Sequence, residues 1–248
     1  MTTSTTSTTN TTMATSATAT ASATATAGVT TIDVWFDYIC PFSVMTRKVL
    51  ADALTDPDVR TVWRAYELHP EGTPPPGEGD YPERVWENSV LPMAERLGVR
   101  LGSAPSLPLP RTGLALRGHR YAERHGAGLA YSDRVFDAHF LEHLDIADAG
   151  LLADLAGDVG LDAREFRAFV TSEATAEQYL REQDDARRTH RIHTVPTLTI
   201  GTWRTEGVPR ADRVREVLAE LRPAVGGSRH SAGAATRNPT PSAARSRS

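Results

Sequence analysis

The chain has 248 residues, 27 basic and 31 acidic, for a net charge of −4. That length suits one medium domain or two small ones, and 40% hydrophobic with 23% charged residues is ordinary for a globular protein. The charge points to no nucleic-acid or anionic-membrane partner, and no run approaches the roughly 18 apolar residues of a membrane span. Cys40 is the one cysteine. An intramolecular disulfide and a four-thiolate zinc or iron–sulfur centre are therefore excluded.

Composition divides the chain. Residues 1–28 are almost entirely Thr, Ala and Ser, with too little apolar surface to offset the entropy of ordering, and read as a disordered leader. The first basic residue is Arg47, so the leader lacks the basic start and apolar core of a secretory signal. Cytoplasmic placement follows as the expectation. Residues 223–248 carry Arg229, Arg237, Arg245 and Arg247 without an acid and read as a disordered basic tail. The core between them, residues 29–222, holds 23 basic against 31 acidic residues.

Ile32 to Tyr38 alternates apolar and polar positions with β-branched and aromatic enrichment, predicting a strand. Phe42 to Leu54 predicts a helix, with Pro41 suited to its first turn. Val59 to Tyr66 is again strand-like, and Glu71 to Asp80, rich in proline and glycine, is a loop. From Tyr81 to His190 the pattern reads as helical throughout. Val85, Trp86, Val90, Met93, Ala94 and Leu97 share a face, Pro92 predicts a kink and Gly98 a stop. Asp162-x-x-Glu165 resembles a capping box. Val195 to Ile200 predicts a strand opening at Pro196, Trp203 to Glu206 a further strand, and Arg210 to Leu221 a final helix. Strands at both ends around a helical block (about residues 81–175) imply one α/β sheet with a helical insertion.

Cys40 immediately precedes a predicted helix, where unpaired N–H groups and the helix dipole favour a thiolate. Such placement can lower a thiol pKa from about 8.5 into the range of roughly 3.5–7.5. The thiolate is the nucleophile of disulfide exchange, so Cys40 is the candidate reactive residue; a buried, inert cysteine is the bland alternative. Pro196 stands at a strand entrance, where its missing N–H is tolerated. In isolation an X–Pro bond there is cis only about one time in twenty.

The ordered set Val34-Trp35-Phe36-Asp37-Tyr38-Ile39-Cys40-Pro41-Phe42, Glu67-Leu68-His69-Pro70, Pro92-x-Ala94-Glu95-Arg96-Leu97-Gly98-Val99, Val159-Gly160-Leu161-Asp162, Val195-Pro196-Thr197 and Ile200-Gly201 resembles the DsbA-like branch of the thioredoxin fold. The nearest subset is the FrnE-type oxidoreductases, related to 2-hydroxychromene-2-carboxylate isomerases and kappa-class glutathione transferases. The resemblance spans roughly Ile32 to Leu221. It implies a thioredoxin-like α/β fold with a large all-helical insertion and a nucleophilic Cys40. It also implies a cis Pro196 facing the sulfur, Val195 backbone groups that meet a bound peptide, and Pro41 and Phe42 beside the substrate.

The family's Cys-Pro-x-Cys motif departs here: Ser43 stands where its second cysteine would be. A hydroxyl cannot attack a mixed disulfide, which leaves three readings. An external thiol such as glutathione or mycothiol resolves the mixed disulfide as co-substrate, with no tightly bound cofactor. Alternatively, the site binds a thiol cofactor for isomerase or transferase chemistry on a small aromatic or polyketide-like substrate. Or a redox-inactive peptide-binding scaffold remains. The expected partners are a disulfide-containing protein or a small thiol, with no nucleic acid and no membrane. Ser43 can also donate to the Cys40 thiolate. His139-x-x-Glu142-His143 matches an inverted-zincin string with both histidines on one helical face. No third ligand announces itself, and the reading favours structural histidines and no metal. His190 and His193 flank the junction into the Pro196 strand as capping or surface residues.

Overall fold

The computed structural model describes residues 29–73 and 83–221. The residues read as leader and tail, and most of the predicted Glu71–Asp80 loop, lie outside the described residues. Strand β1 (Thr30–Phe36) leads through a turn into helix α1 (Pro41–Ala53), which returns to strand β2 (Val59–Ala65). Helices then run from α2 (Glu83–Val85) through a π-helical turn (Trp86–Val90) into α3 (Leu91–Leu97). They continue as α4 (Gly113–Arg124), α5 (Gly128–Phe140), α6 (Ala149–Asp158), α7 (Ala163–Thr171) and α8 (Glu173–Arg188). Strands β3 (Thr197–Ile200) and β4 (Trp203–Glu206) and helix α9 (Ala211–Leu221) close the chain. The sheet order is β2-β1-β3-β4. β1 is parallel to β2, with Phe36 opposite Ala65, and antiparallel to β3, with Trp35 opposite Thr197. The result is a thioredoxin-like α/β fold with a helical insertion.

The period of two along β1 sorts its side chains between two cores. Ile32, Val34 and Phe36 join Met45 and Leu50 of α1 and Val214 and Val217 of α9 in the main core. Trp35 turns to the other face and packs with Cys40, Tyr66, Ala186 of α8, Ile192 and Val195. The insertion docks on the C-terminal end of β1 through aromatic contacts. Phe136 lies 5.0 Å from Tyr38, ring to ring, and His119 lies 5.0 Å from Phe36. Tyr38 Oη and His119 Nδ1 both bond Ser132 Oγ, at 3.0 and 2.9 Å. Within the insertion, Gly118 lets α4 approach closely: a Cβ there would sit 2.2 Å from Tyr131 Oη and 2.5 Å from Phe166 Cζ.

Three expectations are corrected. The block after Tyr81 is not helical throughout. Residues 98–112 are irregular, because Pro105, Pro108 and Pro110 cannot donate to a helical ladder. β1 ends at Phe36 and β3 begins at Thr197, because the chain turns away from the sheet after Phe36 and joins it again only after the cis Val195–Pro196 peptide. α5 stops at Phe140, and Leu144 N–H closes back onto the Ala138 carbonyl at 2.9 Å. His143 therefore sits beyond the helix, in a left-handed conformation with φ 54°, and shares no helical face with His139. Around Pro92, the missing N–H of the proline coincides with the π-helical turn, closed by Leu91 N–H on Trp86 O. Gly98 ends α3 with φ 65°, the left-handed cap that glycine adopts without strain. Asp162 accepts from Glu165 N–H at 2.8 Å, as a capping residue does.

A buried carboxylate ties the insertion to the sheet. Glu67, directly after β2, accepts from the N–H groups of Thr112 and Gly113 at the start of α4 and from Tyr179 Oη of α8 at 2.8 Å. The helix N-terminus supplies donors that otherwise lack partners. Glu67→Ala leaves three donors unpaired, two of them in buried bonds, and is expected to cost roughly 3 kcal/mol of stability. Urea unfolding measures this, and a loss below about 0.5 kcal/mol would mean water replaces the carboxylate.

Candidate active site

The site forms where β1 hands over to α1. Cys40 occupies the N-cap with φ −91° and ψ 110°, Pro41 fills the first helical turn, and no side chain caps the helix. Cys40 N–H donates to Asp37 O at 3.2 Å and Ser43 N–H to Cys40 O at 3.0 Å, so two successive tight turns hold the thiol. Pro41 suits this start because its ring presets the helical φ and its absent N–H would have had no partner. Asp37 N–H reaches Ser43 Oγ at 3.4 Å. The Ser43 hydroxyl then has its proton left for the sulfur, and it does act to lower the Cys40 pKa.

From across the sheet comes the segment before β3, where the Val195–Pro196 peptide is cis. Cys40 Sγ donates to the Val195 carbonyl at 3.4 Å. The structure thus brings together Cys40, Ser43 and Val195, with Pro196 adjacent and Phe42 half-buried over the same cluster. His139 and His143 stand apart from it, and among the described residues no three His, Cys, Asp or Glu side chains are grouped to hold a metal. His190 lies close by, its ring 5.1 Å from that of Trp35 and its Nε2 3.4 Å from Asp185. His193 is exposed.

The state of the thiol corrects the sequence expectation. Cys40 is only 2% exposed, enclosed by Trp35, Tyr66, Ala186, Ile192 and Val195. Burial pushes its pKa up to about 11, outweighing the lowering by the Ser43 hydroxyl and by the Ser43 and Phe42 N–H groups. A helix N-terminus supplies partial charge, but an apolar enclosure removes the water that a thiolate needs. The enclosure thus favours the neutral thiol over the thiolate, with the S–H directed at the Val195 carbonyl.

The residue that sequence reasoning missed is Asp37. Read as a polar position of a strand, it lies past the strand end with no solvent exposure. Its Oδ2 accepts from Leu68 N–H at 2.8 Å, while Oδ1 has no hydrogen-bond partner. Thr112 Oγ1, near enough to lower the Asp37 pKa, is likewise unpartnered. Burial dominates and, with the Glu67 carboxylate adding repulsion, raises Asp37 to about 7. Its charge in turn raises the Cys40 pKa. The one sequence signal was an acid three positions before the cysteine in an otherwise apolar run.

This geometry agrees with what the chain is similar to. A model of the "DSBA-like thioredoxin domain" matches residues 31–220. A Bacillus subtilis relative, the uncharacterized protein YwbO, is 31% identical over 191 residues, covering 76% of this chain and 96% of its own. A "probable DsbA oxidoreductase" from Streptomyces coelicolor superposes with a TM-score of 0.65 at 20% identity, over 77% of this chain and 89% of that one. A 2-hydroxychromene-2-carboxylate isomerase gives 0.61 at 21%, over 77% and 94%. The cytosolic disulfide reductase DsbM of Pseudomonas aeruginosa with glutathione gives 0.57 at 18%, over 77% and 98%. With the thiol at the head of α1, the helical insertion and a family match across nearly the whole described chain, the protein belongs to the DsbA-like thioredoxin-domain family.

Proposed function

We propose that the protein is a thiol–disulfide oxidoreductase acting through one nucleophilic sulfur, Cys40, with an external small thiol closing the cycle. One observation carries this reading: Cys40 Sγ heads α1 and faces the Val195 carbonyl at 3.4 Å, beside Pro196. An extended substrate that pairs with the Val195 backbone lays its disulfide against that sulfur, with Pro41 and Phe42 lining the approach. The Cys40 thiolate attacks one sulfur of the disulfide, forming a mixed disulfide and expelling the other sulfur as a thiolate. A second thiolate then attacks the substrate-side sulfur, forming a new disulfide and returning Cys40 as thiolate. Ser43 cannot take that second role, so glutathione or mycothiol does. Glutathione is the thiol found with DsbM. Such a thiol pool belongs to the cytoplasm, the compartment proposed here. Among the described residues no helix is long and apolar enough to cross a membrane.

A second reading rests on the covered, neutral state of Cys40 and on Ser43. In it a thiol cofactor binds noncovalently for isomerase or transferase chemistry on a small aromatic or polyketide-like substrate, as the similarity to the chromene-carboxylate isomerase suggests. A scaffold that binds peptides without turnover is the third. The test is intact mass after incubation of the folded protein with oxidised glutathione. The expected result is one glutathione adduct on Cys40, release of one equivalent of reduced glutathione, and removal of the adduct by added thiol. Cys40→Ala should show no adduct and lose exchange activity while still binding a client. A folded protein that takes no adduct, under conditions where the denatured chain does, overturns the oxidoreductase reading in favour of the other two.

A further inference from the structure

The segment between α8 and Val195 is built like a cover. Thr189 and His190 N–H both close onto Asp185 O, at 2.8 and 3.1 Å, and Ile192 N–H returns to Ala186 O at 2.9 Å. Arg191, two residues past the Thr189 cap of α8, takes the left-handed conformation, φ 52°, which glycine adopts far more readily than a residue with a side chain. The turn points Ile192 inward, where it is fully buried in the same apolar cluster as Cys40, and leaves Arg191 and His193 on the surface. One apolar side chain of this segment thus helps to enclose the sulfur, between two residues that face outward.

Fastening comes from β4, the short edge strand. Arg204 donates to His190 O at 2.8 Å and to Arg191 O at 2.9 Å, and Glu206 Oε1 holds the same guanidinium at 3.0 Å. The planar fork of arginine suits a clamp on two consecutive carbonyls, which a lysine cannot reproduce. Below the plug, Thr197 Oγ1 ties Thr194 O at 2.7 Å and Gly207 N–H ties Pro196 O at 2.8 Å. These bonds anchor the end of the segment that belongs to the sheet.

We propose that residues 189–194 form a gate over Cys40, with Ile192 as its plug and Arg204 as its latch. The proposal deepens, and rests on, the reading of Cys40 as the reacting atom. Opening breaks the Arg204 clamp, the Ile192 packing and the Ile192 N–H bond to Ala186 O, still a small subset of the fold and so far less costly than global unfolding. It removes Ile192 from the apolar cluster around the sulfur and lets water and a substrate approach. The Phe42 and Ser43 N–H groups and the Ser43 hydroxyl remain to stabilise a thiolate. A docking chain that displaces Ile192 thereby both reaches and activates the thiol.

Because Cys40 is the one cysteine, reagent access reports on the gate directly. The experiment compares the reaction of the full chain with iodoacetamide and with a maleimide-linked polyethylene glycol at pH 8, alongside the global unfolding rate from denaturant jumps. In the parent protein the bulky reagent should lag the small one far more than it does on the denatured chain. Arg204→Ala should speed the bulky reagent by about tenfold or more, the equivalent of one lost hydrogen bond to a charged donor. Arg204→Lys should fall between, and keeps the test open where the alanine variant is unstable. Arg213→Ala, which removes two surface ion pairs on α9, with Glu216 and Glu220, should change nothing. The gate is overturned if Arg204 substitution leaves the bulky rate unaltered, or if every rate equals global unfolding. An unaltered bulky rate in the Arg204 variants, with the glutathione adduct still forming on the folded protein, overturns the gate alone; rates that all equal global unfolding, with no adduct on the folded protein, overturn the oxidoreductase reading as well.

Discussion

Asp37→Asn is expected to stabilise the protein at pH 8 and to do little at pH 4. The Asp37 carboxyl is fully buried and raised to about 7, against about 3.9 in an unfolded chain. The folded state therefore holds this proton more tightly than the unfolded state does. Its contribution to stability is complete below about pH 4, declines as pH rises, and is gone once pH passes the folded value of about 7. A difference of about three pKa units corresponds to roughly 4 kcal/mol between those limits. Asparagine never titrates, so the variant escapes the loss. Its amide oxygen can keep the Leu68 N–H, and its NH2 gains the unpartnered Thr112 Oγ1 as acceptor. Urea unfolding of both proteins at pH 4 and pH 8 measures the difference with all other titrations shared. A gap that stays constant with pH would mean that Asp37 is ionised throughout, and that water or a rearranged Thr112 reaches it. Because the Asp37 charge raises the Cys40 pKa, the same variant should move the pH profile of Cys40 alkylation downward. That second readout separates a charge next to the sulfur from a charge that merely strains the fold.

Such a carboxyl explains why part of the site was legible in the sequence and part was not. Local rules were enough for the handover from β1 to α1. The alternation of Ile32, Val34 and Phe36 fixes the strand, and Pro41 fixes the first turn, so Cys40 is left at the helix head. What Cys40 becomes there depends on groups far along the chain. Val195, which accepts its proton, is 155 positions away, and Ile192 and Ala186 complete the cover. The dipole at a helix start can be read from sequence; the desolvation that overrides it cannot, because burial is decided by tertiary packing. The Arg204 clamp on His190 and Arg191 is invisible for the same reason, since its acceptors are backbone carbonyls. His143 shows the opposite limit. Its spacing from His139 was legible, but the end of α5 at Phe140 depends on a loop closure that spacing does not encode.

The largest gain of activity is expected from Ser43→Cys. Ser43 N–H bonds Cys40 O at 3.0 Å, closing a turn whose end Cα atoms lie within about 7 Å of each other. That separation falls near the range a disulfide spans, about 4.4–6.8 Å. Ser43 is buried, and replacing its oxygen by sulfur adds little volume, so the second thiol should point where the hydroxyl now points, toward Cys40. The weak bond from Asp37 N–H at 3.4 Å is the main local loss. With both sulfurs in place, the mixed disulfide on Cys40 no longer waits for a small thiol. Attack by the introduced thiol is intramolecular, and tethering of a nucleophile commonly raises its effective concentration by orders of magnitude. The lifetime of a glutathione or peptide adduct on Cys40, followed by acid quench and intact mass without added thiol, should shorten by on the order of a hundredfold or more. The product should be an internal disulfide joining Cys40 to the introduced sulfur. Should the adduct on the variant last as long as on the parent, Ser43 does not lie on the path of a resolving sulfur. The parent would then be better understood as a site that closes around a bound thiol than as one that exchanges it. A shortened lifetime would instead mean that the remaining machinery for exchange is intact around Cys40, with a single atom, the Ser43 oxygen, holding this chain to one thiol.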